Sequence, residues 1–260
     1  MITQPHPAFG WLLVILIAAL VVAFLAKPGC RPDGVKQATD SEEPPCAPEN
    51  VKRATGFKAP AFAMEFAETS KGVADLYTAC KPACILKGVD GDDSVVIPLY
   101  TGLLPFVLAL IFLCMPAWVP LPLRVAALAL GVCLVGATAF FDSRENRAIR
   151  GIVAKTTTGE KLPRERVEDL DLTRELHDLR RATSVKWSLT FAAFAVAGLM
   201  VLARGGWWSA AVALACLAVA ALGLACLYSN RHALLETIFG LLPLALVLIG
   251  LWLALPPRAR

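Results

Sequence analysis

Long apolar runs divide this chain, and nearly all of its charge is confined to the segments between them. A helix that crosses about 30 Å of hydrocarbon needs about 20 mostly apolar residues. Runs of that kind fall at 9–26, 95–118, 123–141, 187–203, 207–228 and 233–255. None has an acidic or basic residue well inside it, although Glu236 sits in the first turn of the last. Hydrocarbon offers backbone amides no water to bond, so apolar runs of this length satisfy themselves as helices. A 57% hydrophobic content is too high for an ordinary soluble domain of this size. The expected fold is therefore all-α: a polytopic membrane helical bundle of about six transmembrane helices, with a small cysteine-containing cap on one face.

The chain then divides into a first transmembrane helix (1–26), a polar cysteine-containing segment (27–94), transmembrane helices 2 and 3 (95–141), a charged segment with an amphipathic surface helix (142–186), and transmembrane helices 4 to 6 (187–260). The first run also invites a signal-peptide reading. No Lys or Arg precedes it and it is longer than a usual signal core, so an uncleaved helix is expected.

The polar segment opens with an acid- and proline-rich stretch through Pro44, Pro45 and Pro48, which reads as irregular chain. Phe62, Met64 and Phe66 then alternate with smaller or polar residues, the pattern of a half-buried strand. Thr69 or Ser70 is placed to cap a short helix carrying Val73, Leu76 and Tyr77 on one side. In the second polar segment, Val167, Leu170, Leu172, Leu176 and Leu179 recur near helical spacing after Pro163, which predicts a surface helix over 164–182.

Six crossings put both polar segments on one side of the membrane, but two physical rules disagree about which side. Lys and Arg near the helix ends are more numerous on that face, which the positive-inside tendency makes cytoplasmic. Cys30, Cys46, Cys80 and Cys84 form an even set in a small, poorly cored segment, as a disulfide-forming compartment favours. Long segments also count for less in charge-based topology. We take the polar loops as extracytoplasmic, with these four cysteines as disulfide candidates whose pairing the sequence leaves open. Cys114, Cys133, Cys216 and Cys226 lie in apolar runs and read as packing residues.

The strongest constellation for chemistry lies where the third apolar run ends. If the helix continues past Phe141, Asp142, Glu145 and Asn146 share a face at i, i+3 and i+4. Acidic groups at a helix C-terminus oppose the macrodipole, so they require either a continuing helix or cationic partners such as Arg147, Arg150, Lys186 or Arg231. Asp90, Asp92 and Asp93 precede the second membrane helix, Tyr100 and Thr101 lie just inside it, and His232 and Glu236 open the sixth. Asp92 and Asp93 also read as N-caps of that second helix.

Two readings follow. In one, these groups are an ion-pair collar that ties helix ends together. In the other, Asp142 or Glu145 acts as acid/base on a lipid-like or amphipathic substrate, Lys186 or Tyr100 steadies developing charge, and Asp93, Asn146, Arg231, His232 and Glu236 bind ligand.

The sequence contains no glycine-rich phosphate loop, HExxH, Gly-x-Ser-x-Gly or dinucleotide fingerprint, and its three histidines are scattered. No metal or cofactor is expected. A net charge of +4 with interleaved acids does not make a nucleic-acid surface. A small-molecule transporter needs a polar path, and the apolar runs offer little to line one. The expected partners are the lipid bilayer and either another membrane protein or a second copy of this chain. The favoured function is a structural or interaction-based integral membrane protein.

Several motifs together resemble a loosely defined group of uncharacterised bacterial polytopic membrane proteins. They are Met64-Glu-Phe-Ala67, Asp93 ahead of Tyr100-Thr101, Asp142 with Glu145-Asn146 at a helix end, and Lys186 at the next helix. The resemblance covers about half the chain and implies a bacterial inner (cell) membrane, without a known activity. This chain departs from that pattern in its extra N-terminal helix, its cysteine-bearing insertion and its long charged segment before Lys186.

Overall fold

The computed structural model describes residues 8, 10–12, 14–15, 46, 48–157, 166–229 and 231–255. These residues are almost entirely helical. They form α1 (Pro48–Thr55), α2 (Pro60–Glu65), α3 (Ser70–Ala79), α4 (Pro82–Gly91), α5 (Ile97–Cys114), α6 (Leu121–Thr156), α7 (Thr173–Leu202), α8 (Trp207–Tyr228), α9 (His232–Phe239) and α10 (Leu242–Ala254). Five helical stretches among them are long and apolar enough to cross a membrane: Pro82–Cys114, Leu121–Thr156, Thr173–Leu202, Trp207–Tyr228 and Leu234–Ala254. The protein is an all-α polytopic membrane bundle. Most of the first apolar run lies outside the described residues, although Gly10, Trp11 and Leu12 are helical.

The chain folds as two compact units: 1–27, 99–138 and 187–260 in one, and 28–98 with 139–186 in the other. The first is the membrane unit. Its exposed side chains are large and apolar, including Leu123, Leu130, Leu214 and Leu244, as a lipid-facing surface requires. Trp118, Trp207 and Tyr228 are exposed at helix ends, where amphipathic rings suit the membrane interface.

Inside this unit, the buried Trp252 donates from Nε1 to Ser209 Oγ at 2.9 Å, and the Arg204 guanidinium lies 4.7 Å over the Trp252 ring. Trp187 stacks on Phe191 and meets Phe239 edge-on. Cys114, Cys216 and Cys226 are buried as expected of packing residues, whereas Cys133 is exposed. The last apolar run is interrupted between α9 and α10. Pro243 explains the break: its ring clashes with the carbonyl four residues earlier, at Phe239, which is where α9 ends.

The second unit joins the two polar segments into one body. Its core begins with Phe57, Phe62 and Phe66, whose ring centroids are 5.7–6.5 Å apart. The strand expected across Phe62, Met64 and Phe66 is instead helix α2 and its C-terminal turn. Pro60 starts the helix at a position where its missing amide costs nothing, and helical spacing brings Phe62 and Phe66 together one turn apart.

Thr69 caps α3 by accepting from the Gly72 amide at 3.1 Å, and Val73, Leu76 and Tyr77 are buried on its inner side. The Tyr77 hydroxyl shares a 2.7 Å hydrogen bond with Thr156 Oγ1 of α6, and burial pushes its phenol up to about 12. Ser70 donates to the Leu170 carbonyl at 2.6 Å, and Arg180 pairs with Glu68 at 2.8 Å.

The expected surface helix over 164–182 takes a different form. A short turn at Val167–Asp169 precedes α7, which starts at Thr173 and runs unbroken through Lys186 into the fourth apolar run. No proline or glycine interrupts residues 173–197, so a separate surface helix has nothing to end it. Its apolar stripe is used as expected, because Val167, Leu172, Leu176 and Leu179 are buried.

Candidate functional site

The polar residues that matter most belong to the second unit and are set by α6. This helix continues past Phe141 to Thr156, which places Asp142, Glu145, Asn146 and Arg150 on successive turns of one face. The apolar run of α6 ends at Phe141, just before these residues.

Opposite them on α7 stands Lys186. Its ammonium is 2.5 Å from Glu145 Oε2, 3.1 Å from Asp142 Oδ1 and 3.4 Å from Glu65 Oε1. Thr183, one turn earlier on α7, donates to the other Glu145 oxygen at 2.9 Å. These groups are nearly dry: Glu145 is 0% exposed, Asp142 6%, Lys186 7% and Glu65 8%.

A more hydrated layer continues along α6. Asn146 donates from Nδ2 to Asp92 Oδ2 at 3.0 Å and to Asp93 Oδ1 at 2.8 Å. Arg150 then pairs with Asp93 at 2.6 Å and with Asp90 at 2.9 Å. Asp92 and Asp93 therefore do not cap the second membrane helix. The chain is helical from Pro82 to Cys114, and a wide turn at Asp92–Val96, in which the Ile97 amide bonds the Asp92 carbonyl, joins α4 to α5. Such wide turns shift the register of the residues they contain, and they recur where side chains must be aimed.

The electrostatics follow from the count. Three carboxylates surround one ammonium in a space with almost no water, and burying an ionised acid is costly unless it is paired. Burial above all, together with Glu65 and Asp142, raises the Glu145 carboxyl well above its usual range despite the nearby Lys186. Burial and the Asp142 charge push Asp92 up to about 6. Burial alone would lower Lys186, but Glu145, Glu65 and Asp142 outweigh it and hold the ammonium protonated well above its ordinary range. The arrangement is a cation locked among acids.

The chain matches no family model, no curated protein and no solved structure.

Of the residues singled out from sequence, Asp142, Glu145, Asn146, Asp93 and Lys186 come together in the second unit. Tyr100 belongs to the membrane unit, half-buried on α5; Arg231 is exposed at the start of α9, and His232 and Glu236 are half-buried on it. Cys46 and Cys80 are bridged, Cys84 lies beside them, and Cys30 is outside the described residues.

Glu65 and Thr183 are part of the cluster and were not singled out from sequence, whereas Arg150 was offered as a cationic partner and pairs with Asp90 and Asp93. Glu65 carried the clearest signal, as the lone charge in Phe62-Ala-Met-Glu-Phe-Ala67. Strand alternation hid it, because that pattern turns Glu65 away from Phe62, Met64 and Phe66. The membrane unit also contains an apolar cavity of about 20 Å³ lined by residues including Leu104, Val107, Val135, Phe194 and Ile249. That volume accommodates a single water at most.

Proposed function

We propose that this is a structural or interaction-based integral membrane protein whose polar unit is held rigid by the Lys186 cluster. The observation that carries this reading is the mutual engagement and near-complete burial of Lys186, Glu145, Asp142 and Glu65. An acid/base catalyst has to reach its substrate within hydrogen-bonding distance. Glu145 has no exposed surface and both its oxygens are engaged, which favours the collar over a lipid-processing site. The resemblance to bacterial polytopic membrane proteins supports a cell-membrane location, and the Cys46–Cys80 bridge supports an extracytoplasmic polar unit.

Photo-crosslinking side chains placed at the exposed positions Lys71, Lys87 and Arg144 of the polar unit test this reading in native membranes. The expected result is a discrete adduct with one membrane protein or with a second copy of this chain. Lipid extracts incubated with purified protein provide the counter-test: a lipid converted by the wild type but not by an equally stable Glu145→Gln variant would overturn the proposal in favour of an enzyme.

A further inference from the structure

The membrane unit gathers arginine and tryptophan at one of its ends. Trp252, near the end of α10, bonds Ser209 at the start of α8, and Arg204, just past α7, lies over the Trp252 ring. The Arg204 charge also reaches the Cys114 thiol, where α5 ends. Arg124, in the first turn of α6, donates from Nη1 to the neighbouring Met115 carbonyl at 3.5 Å. Both arginines therefore stand around the same corner. Gly10 packs against Ala254, which brings Trp11 to this end as well. Trp11, Trp118 and Trp207 are exposed here, as rings at the depth of lipid head groups are.

Charge at this end is unbalanced. The sequence of the membrane unit contains one acid, Glu236, and it belongs to α9, which follows the far end of α8. Among the described residues, neither Arg124 nor Arg204 has an acidic partner. Their hydrogen-bonding capacity is equally unspent. A guanidinium has five N–H donors; Arg124 commits one to a long bond, and its Nε is buried without a partner, as is the indole Nε1 of Trp208. Buried donors without acceptors are costly, so this corner calls for an acceptor that the chain does not supply.

We propose that Arg124 and Arg204 form a binding site for the phosphate of an anionic glycerophospholipid. Guanidinium groups recognise phosphate oxygens through paired N–H donors, and basic pockets between membrane helices suit such head groups. Both side chains are half-buried, so each offers its charge at the edge of the apolar unit rather than out in water. The lack of a local acid selects a head group with net negative charge. A zwitterionic head group carries its own cation, which competes for the same phosphate. The exposed Leu121 and Leu123 beside Arg124 give the acyl chains an apolar surface.

Native mass spectrometry of the full-length protein in a non-ionic detergent tests this, with phosphatidylglycerol and phosphatidylcholine of matched acyl chains as probes. The wild type should retain phosphatidylglycerol at concentrations that leave few phosphatidylcholine adducts, and excess inorganic phosphate should not displace it. Arg124→Gln and Arg204→Gln should each weaken retention by about fivefold. Arg204→Gln also removes the stacking over Trp252, so Arg124→Gln is the variant that leaves that contact intact. Arg144→Gln, at an exposed arginine of the polar unit, should retain the lipid as wild type does. Equal retention of the two lipids, displacement by inorganic phosphate, or undiminished retention by Arg124→Gln would overturn the proposal.

Discussion

Replacing Lys186 with methionine is expected to destabilise the protein by roughly 3–5 kcal/mol, the usual cost of leaving buried charge without its partner. The size of the effect follows from the composition of the cluster. Removing the single ammonium leaves Glu145, Asp142 and Glu65 facing one another with little solvent. Removing one acid instead, as in Asp142→Asn, takes away surplus charge and keeps a polar atom, so its cost should be far smaller.

The pH dependence has a definite sign. Without Lys186 the Glu145 carboxyl loses the charge that opposes its burial, so the penalty grows as pH rises above the value at which glutamate ionises in the unfolded chain. It shrinks as pH falls below the ordinary value of 4.5 for glutamate, because both states are then protonated. Thermal unfolding in detergent of Lys186→Met against wild type, at neutral and acidic pH, checks both statements. Equal losses from Lys186→Met and Asp142→Asn would contradict the account.

The second large effect lies in the membrane unit, where Gly223 of α8 meets Phe191 of α7. A side-chain carbon added at Gly223 would fall within the contact radius of three Phe191 ring atoms, and Phe191 is itself 0% exposed with Trp187 stacked upon it. In lipid, small residues let helices approach closely, and that close packing rather than water exclusion holds them together. Gly223→Ala should therefore cost about 1–3 kcal/mol, and Gly223→Val more. The overlap has a defined partner, so Phe191→Leu in the Gly223→Ala background should recover part of the loss, giving a non-additive cycle. Additive losses, or a Gly223→Ala protein that melts like wild type, would show that the two helices do not meet through this glycine.

These two sites differ in how much of them the sequence could reveal. Apolar length specified the membrane helices, because the bilayer imposes one dominant requirement on every span. Helical spacing also placed Asp142, Glu145 and Asn146 on one face, conditional on a helix that outlasts the hydrocarbon. What spacing could not supply was the third dimension: which helix would bring a cation to that face, and that Glu65 would join it.

Two local signals were ambiguous for physical reasons. Alternation over Phe62–Phe66 is too short to separate a period of two from one of 3.6 when smaller residues fill the gaps, and Pro60 decided for the helix. Asp92 and Asp93 have the chemistry of N-caps. Nothing before them ends α4, however, so the chain stays helical through a wide turn and their carboxylates receive Asn146 and Arg150 instead. The Gly223–Phe191 contact was only partly legible: a small-residue stripe on α8 marks a packing face without naming the ring it receives.

The central claim is that a dry cluster with more acids than cations holds the polar unit together, with burial holding the Glu145 carboxyl well above its usual range. Infrared difference spectra between wild type and Glu145→Gln, recorded across a pH series, test it most directly, because a protonated carboxylic acid has a carbonyl stretch separate from that of a carboxylate. The account predicts that the band removed by Glu145→Gln persists to higher pH than that of an ordinary glutamate. A Glu145 band that titrates as an ordinary glutamate does would contradict the account.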